Sequence, residues 1–200
     1  MIKSDSDIIT VVSGLPRSGT SLMMHMLKAG GLQPLVDDIR QADEDNPNGY
    51  FEFEKVKKLV EDNSWLDAAS GKCVKIISAL LQTLPPQYHY KIIFMDRNLQ
   101  EVLASQRQML IHRGASNEHV ADDILASLFT RHLQEINAWL PAQAHIEVLH
   151  VDYGCLVHTP MAVIPGINAF LGGKLDQNRM AGVVDPNLHR QRPQRAPGVA

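Results

Sequence analysis

Two groups of residues in this 200-residue chain have the types and spacing to grip anions. The first is Gly14-x4-Gly19-x-Ser21, where Arg17 is the only cation and Ser18, Thr20 and Ser21 supply hydroxyls. A glycine turn of this kind lets successive backbone N–H groups close around a phosphate, and a helix that follows aims its positive end at the same place. The spacing matches a Walker A loop with one departure: Thr20 stands where the phosphate-binding lysine belongs. Metal-dependent triphosphate chemistry loses its cation there, whereas an arginine fork with three hydroxyls suits one terminal phosphate and a neighbouring anionic group. The second group is Arg97, directly after Asp96, with Ser105 two helical turns further on. An arginine at a strand's end and a hydroxyl on the next helix can hold a second phosphate beside the first. The bland alternatives are a ligand-free glycine turn, a surface cation and a solvated serine. The strand before the loop and the helix after it favour the phosphate reading.

A third feature is Tyr50-Phe51-Glu52-Phe53-Glu54, aromatics alternating with carboxylates. It follows a polar, acidic stretch over residues 37–49 that ends in Asn46-Pro47-Asn48-Gly49, strong turn chemistry. The segment reads equally as the wall of an acceptor pocket or as a helix start with glutamates at its positive end. Asp43-Glu44-Asp45 suits a cationic acceptor or simply a solvated loop. His25, one turn past Ser21, reads as a packed helix histidine rather than a base.

The elements needed to position these groups are visible as hydrophobic patterning. Residues 8–12 are a β-branched strand run; Leu22, Met23, Met26 and Leu27 recur at helical spacing until Gly30-Gly31. A second strand is expected over 32–36, a third over 73–77, a fourth over 90–95 and a fifth over 146–151. Helices are expected after the Tyr50–Glu54 segment to about Asp62, over 78–84 up to Pro85-Pro86, over 98–112 and over 118–140. In the longest, Ile124, Leu128, Ile136 and Trp139 lie near one face. A further helix is capped by Thr159-Pro160, passes Pro165 and reaches 170–173. Continuous apolar strands alternating with helices imply an α/β fold: a three-layer, doubly wound, mostly parallel sheet with the loop at the carboxyl ends of its strands. The reading is one domain over residues 1–190 and a mobile tail over 191–200.

Composition narrows the partners. A net charge of −3 and a pI near 6.3 provide no basic field for nucleic acid. No apolar run reaches the roughly 18 residues of a membrane span, and the N-terminus lacks a signal-peptide core, so a cytoplasmic protein is expected. Cys73 and Cys155 are too far apart for metal-ligand spacing and read as two buried thiols.

The chain resembles the sulfotransferase family that uses 3′-phosphoadenosine 5′-phosphosulfate (PAPS). Leu15-Pro16-Arg17-Ser18-Gly19-Thr20-Ser21 is similar to that family's 5′-phosphosulfate loop in its arginine form. Arg97 to Ser105 (RNLQEVLAS) is similar to its 3′-phosphate element. Val151-Asp152-Tyr153-Gly154-Cys155-Leu156, then Phe170-Leu171-Gly172, and finally residues 184–192 (VDPNLHRQR) follow the family's later segments in order. The resemblance implies a P-loop nucleoside-triphosphatase-like fold. It implies that Arg17, Ser18, Gly19, Thr20 and Ser21 hold the 5′-phosphosulfate, and that Arg97 and Ser105, helped by Arg190 or Arg192, hold the 3′-phosphate. Tyr153 takes the place of a tyrosine lining the adenine pocket. The chain departs from the family in three places: Lys75-Ile76-Ile77 lacks the Lys-x-His histidine, Arg97-Asn98-Leu99 replaces Arg-Asp-Pro, and Arg190-Gln191-Arg192 replaces Arg-Lys-Gly.

The function this implies is in-line transfer of the sulfuryl group from PAPS to the hydroxyl or amine of a small-molecule acceptor, leaving adenosine 3′,5′-bisphosphate and needing no metal. Glu52, with Glu54 behind it, is the expected base, and Arg17 the expected electrostatic catalyst. Lys75 is a candidate donor at the sulfuryl group or else a solvated lysine. Two rivals stand beside this reading. One is a P-loop kinase using ATP, with Mg²⁺ on Ser21 and Asp96 as the Walker B carboxylate. The other is a nucleotide-binding protein without catalysis. Acceptor identity and oligomeric state, including a homo-oligomer that completes the acceptor pocket, are left open.

Overall fold

The computed structural model describes residues 7–37, 39–40, 43, 46, 49–112, 114 and 121–186. Four parallel strands form one sheet in the order β2-β1-β3-β4: β1 is Ile8–Gly14, β2 Cys73–Lys75, β3 His89–Asp96 and β4 Ile146–Asp152. β1 and β3 pair along their whole length, from Ile8 opposite His89 to Gly14 opposite Met95. The chain leaves β1 for β2 on one side and returns to β3 on the other, so the topology switches between β1 and β3. In open α/β sheets the crevice at the carboxyl ends of such strands receives ligands. Residues 15–19 leave β1 into that crevice and Arg97 leaves β3 into it.

Alternating side chains of the strands bury two separate cores. Ile9, Val11, Ile92 and Phe94 pack with Trp65, Leu66, Ile136 and Leu140 on one face. Val12, Ile93 and Met95 pack with Met23, Met26, Leu27, Leu156, Ile164 and Met180 on the other. The second face is built by α1 (Thr20–Ala29), α4 (Tyr153–His158), α5 (Pro160–Phe170) and α6 (Gln177–Gly182). The first is covered by 3₁₀ segments and by α3 (Asp122–Trp139), which packs on α2 (Leu99–His112). Both faces of the sheet are covered, as the apolar strands require.

The structure corrects several boundaries. Residues 32–36 form no strand; Leu35 N–H donates to the Cys73 carbonyl and Cys73 N–H to that of Gln33, a single bridge around Pro34. The pairing ends there because the next N–H on that side, that of Asp37, donates to the Glu52 carbonyl instead of to β2. The helix expected between the Tyr50–Glu54 segment and Asp62 is a 3₁₀ turn, Glu54–Lys58, with the inward residues Val56 and Leu59 three apart, the spacing that eclipses at that period. The helix over 78–84 is likewise 3₁₀, Ser78–Thr83. On α3 only Ile136 is buried, while Ile124 and Leu128 are more than half exposed. Thr159 precedes α5 but its hydroxyl donates to the Cys155 carbonyl instead of capping the helix. Cys73 is buried and its thiol is pushed up to about 12 by burial, but Cys155 is exposed on the short α4. No helix among the described residues is long and apolar enough to cross a membrane.

Candidate active site

The loop after β1 is shaped by three residues with positive φ: Gly14 at 144°, Arg17 at 67° and Gly19 at 102°. At two of them a side chain is excluded. A Cβ on Gly14 would lie 2.5 Å from Ser18 Oγ, and one on Gly19 would lie 2.3 Å from the Tyr153 ring. Arg17 adopts the left-handed conformation without glycine's freedom, a strained backbone of the kind found at ligand-binding turns. Ser18 is buried in the turn, and its Oγ has no hydrogen-bond partner.

The loop is tied to the end of β3. Arg97 Nη1 donates to the Arg17 carbonyl at 3.0 Å, and Arg17 Nε donates to Ser105 Oγ at 2.9 Å. The two groups expected to bind anions, 80 and 88 residues apart in the chain, are thus one hydrogen-bonded unit rather than two separate ones. Arg97 is also held by Glu101, with Nε 2.9 Å from its carboxylate, and lies with its guanidinium carbon 4.2 Å from the centre of the Tyr153 ring. Burial raises the Tyr153 phenol above its ordinary value, and the Arg97 cation works against that rise. Tyr153 packs beneath Gly19 and Arg97, almost fully buried, as the floor of the loop.

One cavity of about 360 Å³ joins this unit to the Tyr50 segment and is lined by Arg17, Thr20, Ser21, Arg97 and Ser105 together with Glu52 and Lys75. The Glu52 carboxylate accepts from Arg40 Nη1 at 2.7 Å and lies 3.6 Å from Lys75 Nζ. Lys75 is buried, not solvated, and its ammonium donates to the Tyr50 carbonyl. Burial pushes it down to about 8; Glu52 opposes that fall, while Arg40 and Arg17 add to it. Ser21 Oγ approaches the same carbonyl at 3.4 Å. Tyr50 is locked in turn, with its phenol donating to Asp43 and the Arg40 guanidinium carbon 3.3 Å from its ring centre.

Other candidates sit elsewhere. Glu54 faces away, bonded to Lys57, and does not line the cavity. His25 stacks on Phe51 with ring centres 6.0 Å apart, and burial, then the nearby Lys28, lowers its imidazole. Asp96 accepts from His150 Nδ1 at 2.9 Å. Arg190 and Arg192, Glu44, Asp45, Pro47 and Asn48, and the expected tail over 191–200 lie outside the described residues.

Sequence reasoning passed over Arg40, Glu101 and the N-cap at Asn98. Arg40 was hidden in a stretch read as acidic. Glu101 had a readable signal, since it stands four residues after Arg97 on a helix, the spacing of an ion pair. Asn98 caps α2, its Oδ1 accepting from Gln100 N at 2.9 Å.

The family model described as the sulfotransferase domain matches residues 5–191. Among solved structures, the sulfotransferase domain from the Synechococcus PCC 7002 olefin synthase aligns over 100% of this chain and 92% of its own, with a TM-score of 0.55 and 16% identity. Retinol dehydratase, crystallised with androsterone and the inactive cofactor PAP, aligns over 92% of this chain and 64% of its own, with a TM-score of 0.52 and 16% identity. No curated protein sequence matches the chain.

Proposed function

From the premise that this chain belongs to the sulfotransferase domain family, we propose that it transfers the sulfuryl group of PAPS to the hydroxyl or amine of a small-molecule acceptor. The observation that carries this reading is the bond from Arg97 to the Arg17 carbonyl, which joins both candidate anion-binding groups into one unit lining the same cavity as Glu52 and Lys75. The residues present fit such a donor. The glycine cradle has no room for a Cβ, Ser18 Oγ is buried without a partner, and the cations exceed what Glu52 and Glu101 neutralise.

Arg17, Ser18, Gly19, Thr20 and Ser21 would hold the 5′-phosphosulfate, and Arg97 and Ser105 the 3′-phosphate, above the Tyr153 floor. When bound, PAPS supplies an electrophilic sulfur and a phosphate leaving group. Arg17, the loop N–H groups and the positive end of α1 provide fixed donors where negative charge gathers, which lowers a barrier without reorganisation. Glu52 accepts the acceptor's proton at its carboxylate. Lys75, lining the same cavity, offers a further donor.

Calorimetry with adenosine 3′,5′-bisphosphate in the absence of magnesium tests the reading. Wild type binds, and Arg17→Ala and Arg97→Ala each lose at least about tenfold, or 1.4 kcal/mol. Magnesium-dependent turnover of ATP without binding of the bisphosphate would instead make the chain a kinase.

A further inference from the structure

Glu101 is an acid placed among groups that bind anions. It is 9% exposed, on the first turn of α2, and its carboxylate meets Arg97 Nε at 2.9 Å. Coulomb attraction for a phosphate is weakened by a buried carboxylate next door, and burying the pair costs several kcal/mol unless geometry and hydrogen bonds offset it. What Glu101 supplies is direction. A guanidinium is a rigid planar fork. With Nε fixed by Glu101, Nη1 on the Arg17 carbonyl at 3.0 Å and one face against Tyr153, the plane of Arg97 is set from three sides. Glu101 is itself placed by the helix start, its N–H directed at Asn98 Oδ1.

Resting on the sulfotransferase reading, we propose that Glu101 is a positioning residue that determines how strongly the protein prefers a nucleotide carrying a 3′-phosphate. It does so by aiming the Arg97 fork, with no contact of its own to the ligand. Two substitutions separate aim from charge. Glu101→Gln keeps the reach and an oxygen acceptor for Nε but loses the charge. Glu101→Asp keeps the charge but withdraws the carboxylate by one methylene.

The measurement is the ratio of affinities for adenosine 3′,5′-bisphosphate and adenosine 5′-monophosphate, by calorimetry at fixed ionic strength. Thermal denaturation of each variant reports its fold. Positioning predicts that Glu101→Asp narrows the ratio about tenfold or more while Glu101→Gln keeps most of it. Retention of the ratio by Glu101→Asp, or a fall in the ratio for Glu101→Gln as large as that for Glu101→Asp, overturns the proposal while leaving the sulfotransferase reading intact. A wild type that shows no preference for the bisphosphate overturns both.

Discussion

The Arg40 guanidinium holds the Glu52 carboxylate at 2.7 Å while lying flat against the Tyr50 ring, so the acid facing the cavity is fixed by a residue of the loop before it. Glu52 is a quarter exposed, with Lys75 on its other side. That placement gives the acid a defined direction toward the Arg17 loop, which Glu54 lacks. If Glu52 is the base, Glu52→Gln lowers kcat by roughly 10²- to 10⁴-fold and leaves affinity for adenosine 3′,5′-bisphosphate nearly unchanged. Turnover that survives the substitution assigns proton transfer to another group.

Lys75 gives a pH signature with a definite sign. Burial lowers its ammonium from an ordinary 10.5 to about 8, so between those values the unfolded chain binds more protons than the folded one. Stability therefore rises with pH across that window and carries the full penalty below it. Urea unfolding of wild type and Lys75→Met should show their difference moving toward wild type, by on the order of 3 kcal/mol, between pH 7 and pH 10.5. A protonated Lys75 that donates during transfer adds an alkaline fall in kcat/KM near pH 8, absent from Lys75→Met. A pH-independent stability difference would mean that Lys75 is not buried as a cation.

The parts of the fold that could be read from the sequence were those governed by local chemistry. β1, the glycine loop, α1 and β3 follow from apolar runs and turn residues adjacent in the chain. Their pairing follows from the general topology of alternating strands and helices. Arg17, Arg97 and Ser105 were found because each stands at a fixed offset from such an element. Lys75 and Arg40 depend instead on what folds over them. Nothing in CVKII says that Tyr50, 25 residues earlier, will bring its carbonyl to the lysine. Residues 32–36 show the same limit: an apolar run stops at a single bridge because the following Asp37 N–H donates to the distant Glu52 carbonyl.

The start of α2 is set by Asn98, where the family pattern has Asp-Pro. Its Oδ1 accepts from Gln100 N at 2.9 Å and lies 3.4 Å from Glu101 N, meeting N–H groups that a helix start leaves over, while its carbonyl takes the first helical bond from Val102 N at 3.1 Å. Asn98→Ala should cost about 1 kcal/mol, or a fall in Tm of roughly 2–4 °C for a chain of this size. Asn98→Asp, which retains the acceptor oxygen, should restore it. Equal losses for both variants would show that the side chain acts through something other than the cap.

Gly19 and Tyr153 form the tightest approach in the site, and two separate costs meet there. A Cβ on Gly19 would sit 2.3 Å from Cδ2 and 2.7 Å from Cε2 of the ring, and φ of 102° is strained for any L side chain. The ring cannot retreat, because it is buried with the Arg97 guanidinium across its face. Gly19→Ala should therefore lose about 3 kcal/mol in urea unfolding, combining backbone strain with overpacking. In a Tyr153→Ala background the steric part disappears, and the same change should cost only about 1 kcal/mol, a coupling readable by a double-mutant cycle. Affinity for adenosine 3′,5′-bisphosphate should not return with stability, since Arg97 then loses the surface that sets its plane. Equal costs in the two backgrounds would mean that the glycine is required by its backbone alone, and that the ring is not what closes the floor of the loop.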